Sequence, residues 1–461
     1  MRPFKHFDFL RFRKICTLFT FSLFLIPLSA HPGIEPLFLP DEVIADSESA
    51  TLSADEVFKL SLLFSECPLD SEKAQQCLEK FEKIKAEVTS DDYMNLPDDQ
   101  RGRAVLKFLF RDYLTTYNFS QTKTDTALET GVYNCVSSAL LYMAAAKACG
   151  LDVRGERTVQ HAFCSIYVND SKTGKPVKID VETTNPYGFN PGSRETIENE
   201  SKIKKYYVVP KKYYSNRQEV SDRTFAGLIA GNICSDCIKK GDYDRAVPLG
   251  AARYEAVRLE NSKSVNDVRQ EFDILAANYV NLKLDSSEAF SKVVDWYISF
   301  IDRWSMTDFL QKNMDNAFNN LIMLCLKEEN YPQVDIYFQT YQDYVTQKQF
   351  TKTGQIYQEV VWLNKLNDYM DKREYQTGLH KADEALAQLP QSSKIKNMRQ
   401  YFYSNCIAIV HNEFARQANT GHYKKALQII SEGLELYPDD KALKKDLADI
   451  LRVIDSETSS E

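Results

Sequence analysis

Apolar residues recur along this chain at two periods, and the change from one to the other falls near residue 150. Val136, Ala139, Leu140, Met143, Ala144 and Ala148 follow the spacing of one helix face, and Gly150 stands where a left-handed glycine ends a helix. After Gly150 the period drops to two. "HAFCSIYV" sets His161, Phe163, Ser165 and Tyr167 on one face of a predicted strand, with Ala162, Cys164, Ile166 and Val168 on the other. "NDSKTGKP" reads as a turn, "VKIDVETT" as a second strand and "NPYGFNPGS" as a closing loop. Upstream, "SADEVFKLSLLF" predicts a helix capped at Ser53 or Asp55. Helical patterns continue through "SEKAQQCLEKFEKIKAEV" and "RAVLKFLFRDYLTTY", and residues 119–130, "FSQTKTDTALET", read as a polar loop.

Beyond about residue 222 strand signals almost vanish. Pairs of predicted helices follow, several with an aromatic residue after a short turn: Tyr243, Tyr331, Tyr375 and Tyr423. The steps from Tyr331 to Tyr375 and on to Tyr423 are 44 and 48 residues, and Tyr243 to Tyr331 is 88, twice the first step. A divergent unit is therefore expected near Ser286. A period of this size predicts an all-α helical solenoid. The last unit, "GHYKKALQIISEGLELYPDD", resembles a tetratricopeptide repeat, with its Gly-x-Tyr turn, small Ala426 and Pro438 after the second helix. "KALKKDLADILRVID" would cap the array, and residues 456–461 read as a disordered tail.

The amino terminus has a different character. "MRPFKHFDFLRFRK" is basic, and "ICTLFTFSLFLIPLSA" is a short apolar run ending in small residues. This is the layout of a signal peptide cut near Ala30, too short for a comfortable membrane span of about 20 residues. Residues 1–30 are thus expected to be removed, 31–50 to form an extended leader, 51–221 a first folded domain and 222–455 the helical repeats. The formal net charge is −8, and removing the net +4 of the signal segment leaves about −12. So acidic a chain is a poor candidate for nucleic acid, where Lys and Arg on phosphates supply most of the affinity. After cleavage no stable membrane span is expected. Export makes disulfides possible. Cys67 and Cys77 flank a short loop and are candidates for pairing, whereas the Cys234–Cys237 CxxC lies in helical surroundings with no second pair and reads as structural.

The chemistry centres on Cys135. It follows Asn134, a good N-cap, at the start of the predicted helix, where unpaired N–H groups and the helix dipole lower a thiol pKa. A nucleophile needs a base, and the base an orienting acceptor. If the hairpin turn is centred in "NDSKTG", His161 lies across from Asp180 in one register and Glu182 in the other. Either carboxylate can hold one ring nitrogen while the other faces Cys135. Cys149 and Cys164 read as core thiols.

These segments in order, "GVYNCVSSALLYMAAAKACGLDVRG", "HAFCSIYVNDSKTGKPVKID" and "VETTNP", resemble the transglutaminase-like superfamily of cysteine enzymes over roughly residues 100–195. The resemblance implies a papain-like α+β core, followed here by the helical repeats, and a triad of Cys135, His161 and Asp180. Many members carry Trp two residues after the His, where this chain has Phe163; Trp296, Trp304 and Trp362 all fall in the repeats. Oxyanion support would then come from backbone N–H groups near Cys135, with Gln160 or Tyr133 as side-chain donors. The function implied is that of an exported thiol hydrolase or acyltransferase of a bacterial envelope, periplasmic or secreted, with a protein or peptide bound on the repeats. No cofactor or metal is called for; no oxygen-rich calcium loop stands out. The alternative is an inactive envelope scaffold whose repeats carry the function.

Overall fold

The computed structural model describes residues 51–191, 209–214, 216–280 and 286–458. The expected signal peptide and leader lie outside the described residues. In the first part, helices α1 (Ala54–Phe64), α2 (Glu72–Val88), α3 (Asp91–Met94) and α4 (Asp98–Asp112) precede a short strand β1 (Thr116–Tyr117). Helix α5 (Thr124–Thr130), strand β2 (Val132–Tyr133) and helix α6 (Cys135–Ala148) follow. Then come β3 (Asp152–Arg157), β4 (Ala162–Asn169), β5 (Pro176–Val181), a 3-10 turn at Lys211–Tyr214, β6 (Gln218–Val220) and α7 (Asp222–Ala226). The polar stretch 119–130 therefore contains a helix where the sequence suggests a loop.

Local chemistry accounts for these starts. Ser53 accepts from the Glu56 N–H at 3.3 Å while Glu56 accepts from the Ser53 N–H at 2.7 Å, a reciprocal cap at the head of α1. Helix α6 is apolar all round, and every residue from Cys135 to Ala146 is buried. Such a helix must be enclosed on all sides. It packs against α1, α2, α4 and α5 and against strands β3 and β4. Each of its buried Leu, Val and Met side chains contributes roughly 1.5–3 kcal/mol. The sheet runs β5-β4-β3-β6, antiparallel throughout. Its inner face meets α6, where the Cys164 thiol donates to the Ala139 carbonyl at 3.3 Å. A buried ion pair, Lys147–Asp222 at 2.6 Å, ties α6 to α7, and both partners also bond the Leu52 backbone. Asp222, expected to open the repeats, is thus anchored in the first part.

The rest is helical: α8 (Leu228–Lys240), α9 (Tyr243–Glu255), α10 (Lys263–Val280), α11 (Ser287–Trp304), α12 (Asp308–Lys327) and α13 (Tyr331–Tyr341). Then follow α14 (Gln347–Asp371), α15 (Tyr375–Gln388), α16 (Ser393–Asn419), α17 (Tyr423–Leu436) and α18 (Lys441–Thr458). The expected tail is corrected here, because α18 runs to Thr458 and leaves only 459–461 outside the described residues. Tyr243, Tyr331, Tyr375 and Tyr423 are each the first residue of a helix, and Ser286 caps α11. The turn before each of these tyrosines is the same. Gly241, Glu329, Arg373 and Gly421 are left-handed, with φ of 75°, 56°, 57° and 76°. The next N–H reaches back to Cys237, Cys325, Tyr369 or Gln417, five residues earlier, closing a Schellman turn. Left-handed backbone costs a residue with a Cβ roughly 1–2 kcal/mol. Gly421→Ala is therefore expected to destabilise its unit by about 1 kcal/mol, read as roughly five-fold faster amide exchange across Tyr423–Leu436.

The apolar interior is not one piece. A large cluster runs from Leu52 to Val345. Two small ones follow, around Leu366, Ile395 and Phe402 and around Phe414, Ile430 and Leu443. Among the described residues no helix is long and apolar enough to cross a membrane, and no group of three His, Cys, Asp or Glu could hold a metal ion.

Candidate active site

The site is built at the start of α6. Asn134 is extended, and its side-chain oxygen accepts from the Val136 and Ser137 N–H groups at 2.9 and 3.1 Å. Ser137 Oγ accepts from the Asn134 N–H at 3.0 Å in return. This cap places Cys135 at the first helical position, and it leaves the Cys135 N–H as the backbone donor nearest the thiol. Cys135 is 7% exposed.

A tight turn brings in the base. Thr158 N–H donates to the His161 carbonyl at 2.8 Å, joining β3 to β4. His161 is buried, and its Nε2 lies 2.7 Å from Glu182 Oε2. The Cys135 thiol is the other group that acts on this ring, with Nε2 already committed to Glu182. Burial works to lower the His161 pKa, but hydrogen bonds to Cys135 and Glu182 outweigh it and raise the value to about 10. The imidazole therefore holds its proton through neutral pH and loses it only as pH rises through that value.

Glu182 receives four donors. Oε2 takes His161 and the Tyr214 hydroxyl, the latter at 2.5 Å; Oε1 takes the Thr184 N–H at 3.1 Å and its hydroxyl at 2.9 Å. The loop that places it depends on a glycine. Glu182 N–H donates to the Gly188 carbonyl at 2.8 Å, and a Cβ on residue 188 would stand 1.9 Å from the Glu182 carbonyl oxygen. Only glycine lets the chain return so closely.

The structure thus brings Cys135, His161 and Glu182 together, and Asp180 is corrected as the orienting carboxylate. Asp180 pairs with Ser165 across the sheet and is gripped by both Arg217 terminal nitrogens at 2.6 and 2.7 Å. Arg217 also bonds Glu156 and lies 4.8 Å from the Phe163 ring centre. The reason is register. Asp170 Oδ1 accepts from the Lys172 and Thr173 N–H groups and Gly174 is left-handed, so the turn is centred later than expected. Every pair shifts by one step of two residues or more, and Glu182 falls in the loop after β5, free to fold back on His161.

The side-chain oxyanion donors are corrected too. Tyr133 is fully buried and its hydroxyl donates to the Thr184 carbonyl at 2.9 Å. Gln160 is exposed, and its N–H reaches only Thr158 Oγ1. Tyr214, Arg217 and Thr184 were not singled out by sequence. "KKYYSNR" carries no periodicity or motif that points to a site.

No family model matches the chain, and no curated protein matches it. Among solved structures, a crystal structure of menin described as revealing the binding site for Mixed Lineage Leukemia protein matches with TM-score 0.33 and 13% identity, over 79% of this chain and 80% of that one. These findings overturn the expected membership in the transglutaminase-like superfamily and the tetratricopeptide resemblance of the last unit. The papain-like core that the first resemblance implied is not shown. What stands is a mostly helical chain with small sheets.

The other cysteines set Cys135 in context. All nine in the described residues are free and buried, including Cys67, Cys77, Cys234 and Cys237. Burial pushes the Cys77 and Cys149 thiols up to about 11 and Cys234 up to about 12. Those three are protonated and poor nucleophiles at neutral pH. Cys135 has a buried imidazole against it.

Proposed function

We propose that this chain is an exported thiol-dependent acyl-transfer enzyme. The observation that carries the reading is the buried chain Cys135–His161–Glu182 at a capped helix start. Cys135 Sγ, its proton held by His161, attacks the carbonyl carbon of an amide or ester. The developing oxyanion meets the Cys135 N–H. His161 then gives its proton to the departing amine or alcohol as the carbon–heteroatom bond breaks, leaving a thioester on Cys135. Water or an amine attacks the thioester and loses a proton to His161; the C–S bond breaks, the acyl group leaves as acid or new amide, and Cys135 returns as thiolate beside the protonated imidazole. Glu182 holds the imidazole in place throughout. The basic and apolar amino-terminal segment supports export, and the long array of packed helices offers a surface for a protein or peptide substrate.

Iodoacetamide at pH 7, followed by peptide mass spectrometry, tests this. Cys135 is expected to be alkylated at least ten-fold faster than any other thiol of the native protein, and the preference is expected to vanish in His161→Ala. Alkylation of Cys135 no faster than in the denatured chain would overturn the reading and leave a helical scaffold.

A further inference from the structure

We infer that Tyr214 is a positioning residue of this thiol site, holding the Glu182 oxygen that orients His161. The inference rests on the reading of Cys135, His161 and Glu182 given above. Tyr214 comes from a segment remote in sequence, at the end of the 3-10 turn, and its hydroxyl donates to the same Oε2 that His161 uses. Its ring stands edge-on to His161 at 5.8 Å and to Phe163 at 5.2 Å, while His161 and Phe163 stack at 5.9 Å. The Phe163 and Tyr214 rings thus both pack against the His161 ring that bonds Glu182.

Two consequences follow from elementary electrostatics. A carboxylate oxygen with two donors has less freedom to rotate than one with a single donor, so the phenol fixes where Nε2 must sit. The phenol also draws charge from Oε2, so the imidazolium is held less strongly than by an unshared carboxylate. Burial and the nearby Glu182 raise the Tyr214 pKa well above its ordinary value, so it remains a donor wherever the enzyme would work. The charged groups on the same side complete the setting: Arg217 lies over the Phe163 ring and is paired with Asp180 and Glu156, Asp180 and Arg217 act on Tyr214 with opposite sign, and among the described residues no charged side chain other than Glu182 bonds Tyr214 or His161.

Tyr214→Phe removes the hydroxyl and keeps the ring. With Oε2 no longer shared, the His161 titration is expected to move up by about half a unit, read by NMR of histidine-labelled protein with His161→Ala as assignment control. The turnover of a p-nitrophenyl ester is expected to fall about ten-fold as the carboxylate loses its fixed position. Tyr214→Ala, which also opens the ring cluster to water, is expected to fall further. A His161 titration unchanged within 0.2 units in Tyr214→Phe overturns the inference, whatever happens to the melting temperature. The NMR readout does not depend on catalysis, so failure of the acyl-transfer reading is seen separately, as absence of fast Cys135 alkylation in the unaltered protein.

Discussion

Cys135→Ala is expected to abolish covalent acyl-enzyme formation. With p-nitrophenyl acetate, the unaltered protein should show a burst of nitrophenolate and gain one acetyl group by intact mass. The variant should show neither, with a rate lower by on the order of 10³-fold or more, as expected when a nucleophile acting as a unit with its base is removed. The variant should fold. Replacing a thiol by a methyl group at a helix start retains the helix, because the cap is made by Asn134 and Ser137 and not by residue 135. Retained near-ultraviolet circular dichroism separates loss of chemistry from loss of fold. A burst persisting in Cys135→Ala would move the nucleophile elsewhere. Cys149 and Cys234 would be poor replacements, since burial keeps both thiols protonated at neutral pH.

Glu182→Gln is expected to lower acyl transfer by about 10²–10³-fold, and Asp180→Asn by less than two-fold. The contrast follows from the donors. Glu182 accepts on both oxygens, from His161 and Tyr214 on one and from Thr184 on the other. A Gln side chain has one acceptor and one donor, so its NH₂ must face a donor whichever way the amide turns. If it faces His161, the ring is driven to the neutral tautomer that accepts at Nε2. The alkaline limit of activity should then fall from about 10 toward the ordinary histidine value of about 6.5. The stability arithmetic has the same sign. A raised His161 pKa contributes stability that is full below about 6.5 and is lost as pH rises through about 10, so Glu182→Gln should flatten that dependence. Asp180 shares only a half-exposed ion pair with Arg217, worth about 0–1 kcal/mol. Equal losses in the two variants, measured as kcat/KM on the same ester, would restore Asp180 to the site.

Much of the architecture was legible because it is local. The Asn134 cap, the apolar run to Gly150, the alternating strand from Ala162 and the tyrosine that opens helix after helix are patterns of near neighbours. What escaped depends on distant groups. Strand β3, "DVRGER", looks polar, but Glu156 is buried because Ser165, Lys178 and Arg217 come to it from elsewhere. The hairpin register hinged on which backbone groups Asp170 would hold, a choice that composition does not reveal. Tyr214 reaches Glu182 across 32 positions, and no spacing rule connects them. The broad resemblance to a known enzyme class also failed, since short motifs shared by order do not determine a whole fold.

The three separate apolar clusters carry a consequence for how the molecule comes apart. Those around Phe402 and Phe414 are small, and each is formed by neighbouring helices of the array, whereas Cys135 and His161 lie in or beside the large one. Opening of the carboxyl-terminal helices removes few contacts from the rest, so it should occur as a local, low-energy event well before global unfolding. Heat or limited proteolysis would then peel the chain from its far end. The thiol site would survive on a shortened molecule that has lost its last helices, making the reach of the array a variable that proteolysis can trim without silencing Cys135.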